Sequence, residues 1–189
     1  MHRIFKKNQI LTIPNLLSLF RLVLIPVIVW LYSYEKNYAA AIGAILLSGA
    51  TDIVDGWIAR RFHMVSDFGK ILDPVADKLT QGALLLCLLA LYDLMWGLVI
   101  LFAVCEICKL VLGAVVMKKY DEVNGAKWYG KLNTVVIYGV MMLLISFPSM
   151  NRVAANALIV ICGTVMLVSH LLYVRFYCKI LRGGKTRQR

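Results

Sequence analysis

Long apolar runs separated by short polar stretches recur six times along the chain. Crossing a hydrocarbon core takes about 20 helical residues. The runs fall at about 13–31, 38–59, 71–92, 94–117, 132–147 and 153–177, the fifth ended by Pro148. The stretches between them are short, so consecutive helices should be neighbours. The pattern predicts an all-α integral membrane protein, with six transmembrane helices in a compact bundle. A short basic, amphipathic segment precedes the first helix, and a basic tail begins at about residue 179. No repeat, linker or low-complexity stretch interrupts residues 1–189, which read as a single membrane domain. The N-terminal apolar run continues without a cleavage site of small residues, so it reads as a first span and not as a secretory leader.

Composition agrees with lipid as the solvent. Hydrophobic residues make up 61% of the chain and mean hydropathy is +0.77, whereas a soluble domain runs near half apolar. Intrinsic disorder is excluded by the same figures.

The net charge of +11 by itself fits nucleic acid or an anionic membrane surface. Its distribution separates the two. With the N-terminus in the cytoplasm, the inside segments carry Arg3, Lys6, Lys7, Arg60, Arg61, Lys70, Lys118, Lys119, Lys127 and Lys131. The tail adds Lys179, Arg182, Lys185, Arg187 and Arg189, and the outside turns carry only Lys36 and Arg152. Lys and Arg accumulate on the cytoplasmic side of membrane proteins. Both termini are therefore expected in the cytoplasm, as in a bacterial inner membrane, and no nucleic-acid partner is needed to explain the charge.

Cysteine and histidine offer little chemistry. Cys105 and Cys108 form a C-x2-C with no second pair to complete a zinc site. His2, His63 and His170 are scattered.

The acidic residues are different. Four of only ten lie in one stretch: Asp52, Asp55, Asp73 and Asp77. Asp52 and Asp55 are three apart and share a helix face, which Gly56, Ala59 and Arg60 extend. Gly69, Asp73 and Asp77 are each four apart and line one face of the next helix. A short loop joins the two helices, so their acidic faces can meet. Converging carboxylates in a membrane repel one another and are costly to bury. Divalent cations such as Mg²⁺ or Mn²⁺ prefer oxygen ligands and would neutralise them. A two-ion site suits phosphoryl-type transfer. Gly56, Ala59 and Gly69 leave room for a base or diphosphate near the backbone, and Arg60 can fork onto a phosphate. Taken singly, such an aspartate would be a cap or a solvated charge, and such small residues would serve helix packing.

The ordered string Asp52-x2-Asp55-Gly56-x2-Ala59-Arg60-x8-Gly69-x3-Asp73-x3-Asp77 resembles the signature of the CDP-alcohol phosphatidyltransferase family at every fixed position. The six-helix layout resembles that family over most of the chain. The resemblance implies transfer of a phosphatidyl group from CDP-diacylglycerol to an alcohol, with release of CMP. It implies two divalent ions, one on Asp52, Asp55 and Asp73 and one on Asp52, Asp73 and Asp77. It assigns the cytidine diphosphate to Asp52, Gly56, Ala59, Arg60 and Gly69, makes Asp77 the general base, and implies a homodimer.

The acceptor alcohol is less legible. Asn15, Ser18 and Arg21 are three apart and trace a polar stripe on the first helix. An arginine inside a span is a functional candidate, or else a structural partner for one of the aspartates. This opening resembles the phosphatidylglycerophosphate synthase and cardiolipin synthase branches of the family. The first branch usually carries Arg-Glu on its fourth helix and Gly-Lys-x-Lys-Thr on its fifth. This chain has Cys105-Glu106 and Gly130-Lys131-Leu132-Asn133-Thr134, the latter closer to the cardiolipin branch.

A dianionic acceptor such as glycerol 3-phosphate needs several cations. Lys70, Lys78, Lys109 and Lys131, with Asn15 and Arg21, are the candidates; Lys109 could equally pair with Glu106 three residues earlier. Glycerol 3-phosphate is the favoured acceptor, phosphatidylglycerol the second and an inositol phosphate the third. A small transporter is the non-enzyme alternative, though it would place its charges near the bilayer midplane.

Overall fold

The computed structural model describes residues 12–62, 69–120 and 127–183. The side chains of residues 59, 60, 70, 71, 117–120 and 183 are not among those described. The basic N-terminal segment, the end of the basic tail, and His2 and His63 lie outside the described residues.

Among the described residues six α-helices follow one another: α1 (Ile13–Ser33), α2 (Tyr38–Arg61), α3 (Gly69–Leu88), α4 (Met95–Tyr120), α5 (Trp128–Ser146) and α6 (Arg152–Gly183). No strand occurs among the described residues. Among the described residues five helices are long and apolar enough to cross a membrane: α1, α2, α4, α5 and α6. With the family evidence given below, this makes the chain a multi-pass membrane protein. The remaining helix, α3, occupies the expected third span but carries Lys70, Asp73, Asp77 and Lys78 in its first half. Those charges place it below the same apolar threshold.

The helices form two compact units, one within Met1–Leu88 and one within Leu89–Arg189. In the first unit α1 packs against both α2 and α3. Its start follows from Pro14 in the opening turn, where the missing N–H is no loss. Its buried residues are Pro14, Asn15, Ser18, Arg21, Leu24, Ile28 and Tyr32. They recur at helical spacing and form one stripe, polar in its first half and apolar in its second. The opposite face carries Leu16, Leu19, Val23, Val27 and Trp30, all exposed, as a lipid-facing surface requires. Asn37 caps α2, its side-chain oxygen accepting from the Ala40 N–H at 3.1 Å.

In the second unit α6 packs against α4 and α5. Gly130, in the first turn of α5, sits directly under the Tyr173 hydroxyl, where a Cβ would collide. The Ser169 hydroxyl donates to the Tyr129 carbonyl at 3.1 Å. The Tyr129 and Tyr173 rings meet edge to face at 4.6 Å. With little hydrophobic drive between helices in lipid, such close approach and hydrogen bonding hold them together.

Candidate active site

All four aspartates of the motif lie in the first unit. The helical periods place Asp52 and Asp55 on one face of α2, and Asp73 and Asp77 on one face of α3. The structure brings three of them onto the polar half of the α1 stripe.

Arg21 is 1% exposed and reaches both aspartates of α2. Its Nη1 lies 2.7 Å from Asp52 Oδ1 and its Nη2 donates to Asp55 Oδ2 at 2.8 Å. Ser18 is fully buried, and its one hydroxyl proton has three acceptors in reach, the first being the Pro14 carbonyl of its own helix at 3.0 Å. The same hydroxyl lies 3.4 Å from Asp55 Oδ2 and in closer contact with Asp73 Oδ1. The carboxylates of α2 and α3 therefore open onto one space, joined through α1. The sequence pattern predicts that the two acidic faces can meet; it does not reveal that α1 is the element between them.

Asp77 has different partners. Its Oδ2 accepts from Gln81 Nε2 at 3.2 Å and lies 3.9 Å from Lys78 Nζ. Gln81 belongs to the site although the sequence reading passes over it. The signal was present: Gly69, Asp73, Asp77 and Gln81 continue the same four-residue spacing.

Accessibility separates the two aspartates of α2. The Asp52 side chain is 51% exposed and that of Asp55 only 4%. Gly56 is half-buried and Gly69, at the start of α3, is buried. Ala59, Arg60 and Lys70 lie on the expected helices, their side chains outside the described set.

Asn15 is buried on α1, one turn before Ser18. Arg21 is engaged by Asp52 and Asp55, which is the structural pairing weighed for it above. Lys109 and Lys131 belong to the second unit. Lys109 donates to Glu106 on its own helix and lies 5.6 Å from the centre of the Tyr173 ring. Lys131, in the first turn of α5, is exposed.

The donor set suits a hard divalent cation. Four carboxylates offer only oxygen, and among the described residues Arg21 and Lys78 lie beside them. Arg21 Nε is buried without a hydrogen-bond partner among the described residues, so the guanidinium does not use all its donors on the acids. As arranged, no three such side chains among the described residues form a ready metal-ligating group. Asp52 and Asp55 are turned onto Arg21, and Asp73 onto Ser18. A cation entering this space would compete with those contacts.

Comparison with known proteins gives the family. The CDP-alcohol phosphatidyltransferase family model matches residues 11–173. The chain is 31% identical over 191 residues to a probable phosphatidylglycerophosphate synthase of Mycobacterium tuberculosis, covering 96% of this chain and 88% of that protein. It is 43% identical over 79 residues to the CDP-diacylglycerol–glycerol-3-phosphate 3-phosphatidyltransferase of Rickettsia typhi. That match covers 41% of this chain and 44% of the rickettsial protein, so the chain spans less than half of that relative's length. A third match, 46% identical over 82 residues, is to a cardiolipin synthase (CMP-forming)/mitochondrial hydrolase fusion protein of Schizosaccharomyces pombe, covering 43% of this chain and 14% of that one. The chain belongs to the CDP-alcohol phosphatidyltransferase family, a family of enzymes.

Proposed function

We propose that this protein transfers a phosphatidyl group from CDP-diacylglycerol to glycerol 3-phosphate and releases CMP. The observation that carries the reading is the convergence of Asp52, Asp55 and Asp73 on Ser18 and Arg21, with Asp77 one turn further along α3. Glycerol 3-phosphate is supported as the acceptor by likeness to the Rickettsia glycerol-3-phosphate 3-phosphatidyltransferase and the probable phosphatidylglycerophosphate synthase of Mycobacterium.

In this account Asp52, Asp55, Asp73 and Asp77 would hold two divalent ions, Mg²⁺ or Mn²⁺, which would supply neutralisation of the diphosphate and of the charge developing on the leaving oxygen. Arg21 and Ser18 set the rotamers of the carboxylates before substrate arrives. Gly56, Ala59 and Gly69 admit the cytidine diphosphate close to the backbone, and Arg60 pairs with its phosphate. Asp77 takes the proton from the acceptor hydroxyl, a role that requires hydrogen-bond reach in the bound complex. The acceptor oxygen then forms its bond to the lipid-linked phosphorus, the bond from that phosphorus to CMP breaks, and CMP departs with the electron pair. The acyl chains stay in the bilayer throughout.

The distribution of Lys and Arg supports an active site and both termini on the cytoplasmic side; a bacterial inner membrane is compatible with that orientation. The homodimer rests on likeness to the family.

A second reading, cardiolipin synthesis with phosphatidylglycerol as acceptor, is favoured by Lys131-Leu132-Asn133-Thr134 and by the Schizosaccharomyces match. Purified protein with CDP-diacylglycerol and Mg²⁺ or Mn²⁺, offered each acceptor separately, tests both. Phosphatidylglycerophosphate as the lipid product, identified by mass, is expected. Cardiolipin would move the assignment to the second reading. No CMP release with either acceptor would favour a transport or scaffolding protein.

A further inference from the structure

Gln81 lies one turn beyond Asp77 on α3 and is 0% exposed. Both ends of its amide are engaged. Lys78 Nζ donates to Oε1 at 3.1 Å, and Nε2 donates to Asp77 Oδ2 at 3.2 Å. The orientation of the amide follows from these partners. An ammonium only donates and an ionised carboxylate only accepts, so the oxygen must face Lys78 and the N–H must face Asp77. Lys78 itself stands 3.9 Å from the same carboxylate oxygen, so the amide is the closer link.

Packing does not explain the residue. On the same helix Ala76, Leu84 and Leu85 are apolar and fully buried, and a methionine or leucine would fill the position. A buried amide left unbonded is destabilising. Glutamine is tolerable here because Asp77 and Lys78 both use it.

We propose that Gln81 is a positioning residue for phosphatidyl transfer. Its N–H fixes the rotation of the Asp77 carboxylate about its terminal bond, and Lys78 keeps the amide from turning over. A carboxylate so held presents its basic lone pair in a constant direction, and reaction rate is sensitive to errors of this size. The inference rests on the reading of Asp77 as the general base.

The test is steady-state kinetics on the full chain in detergent, with CDP-diacylglycerol, glycerol 3-phosphate and Mg²⁺, and with phosphatidylglycerol in a parallel set. Gln81→Met and Gln81→Leu keep the volume and lose the amide. Thr80→Val is the packing control: Thr80 is buried, and its hydroxyl donates to the Ala76 carbonyl of its own helix at 2.9 Å.

Both Gln81 variants should lose kcat by about tenfold or more, with KM for CDP-diacylglycerol within about twofold of wild type, while Thr80→Val keeps its kcat. A rise in KM at constant kcat would make Gln81 a substrate contact. Wild-type kcat per folded molecule alongside a fall in Tm would make it a packing residue. Either result overturns the proposal. Asp77→Asn separates the two levels. An inactive Asp77→Asn beside fully active Gln81 variants removes only this inference, whereas an active Asp77→Asn removes the base assignment itself.

Discussion

The Arg21 guanidinium donates to the Asp55 carboxylate at 2.8 Å, with the two side chains 2% and 4% exposed. Removing one partner of a buried ion pair strands the other charge, at a cost of about 3–5 kcal/mol. Arg21→Met should therefore lower Tm sharply and reduce the yield of folded protein. Arg21→Lys should recover only part of the loss, because a single ammonium cannot fork onto Asp52 and Asp55 together. Thermal unfolding of the two variants in detergent checks the order.

Asp52 and Asp55 should separate stability from activity. Asp52 is half exposed and Asp55 is not. Asp52→Asn should lower Tm less than Asp55→Asn, because the half-exposed Asp52 carboxylate is screened by solvent and Arg21 keeps its buried partner Asp55. Both should reduce CMP release by about a hundredfold or more, the scale on which a charged group at the reacting centre is felt. Parallel Tm and turnover measurements show whether the two effects split in this way.

The helix pattern was legible because lipid imposes it. The expected start of α1 at residue 13 and of α2 at residue 38 coincide with the structure. The misses share a cause. Apolarity marks the hydrocarbon core, whereas helices continue into the interface. Thus α5 begins at Trp128, earlier than its apolar run, and α6 continues to Gly183 through basic residues. Conversely α3 stops at Leu88 although Ala90, Leu91 and Tyr92 prolong the apolar count. The acidic string was legible as two helix faces. The spacing put Ser18 and Gln81 on the polar faces, but their partners were not legible, because neither residue type announces chemistry until its neighbours in space are known.

In the second unit, Glu106 and Lys109 pair three residues apart on α4 with side chains 16% exposed. Glu106→Gln and Lys109→Met should each destabilise more than the double variant, because the double leaves no unpaired charge. A double-mutant cycle on Tm or denaturant midpoint gives a coupling energy of about 0.5–3 kcal/mol if the pair acts as a unit. KM for glycerol 3-phosphate in Lys109→Met reports separately on the acceptor role considered for this lysine.

Asp52, Asp55 and Asp73 converge on Arg21 and Ser18, and a divalent cation is what would turn that negative charge to catalysis. CMP release from CDP-diacylglycerol with glycerol 3-phosphate, measured while free Mg²⁺ or Mn²⁺ is titrated up from exhaustive chelation, examines this directly. Turnover should be absent in the chelator and return with added cation. Release that continues undiminished in the chelated enzyme would contradict the account.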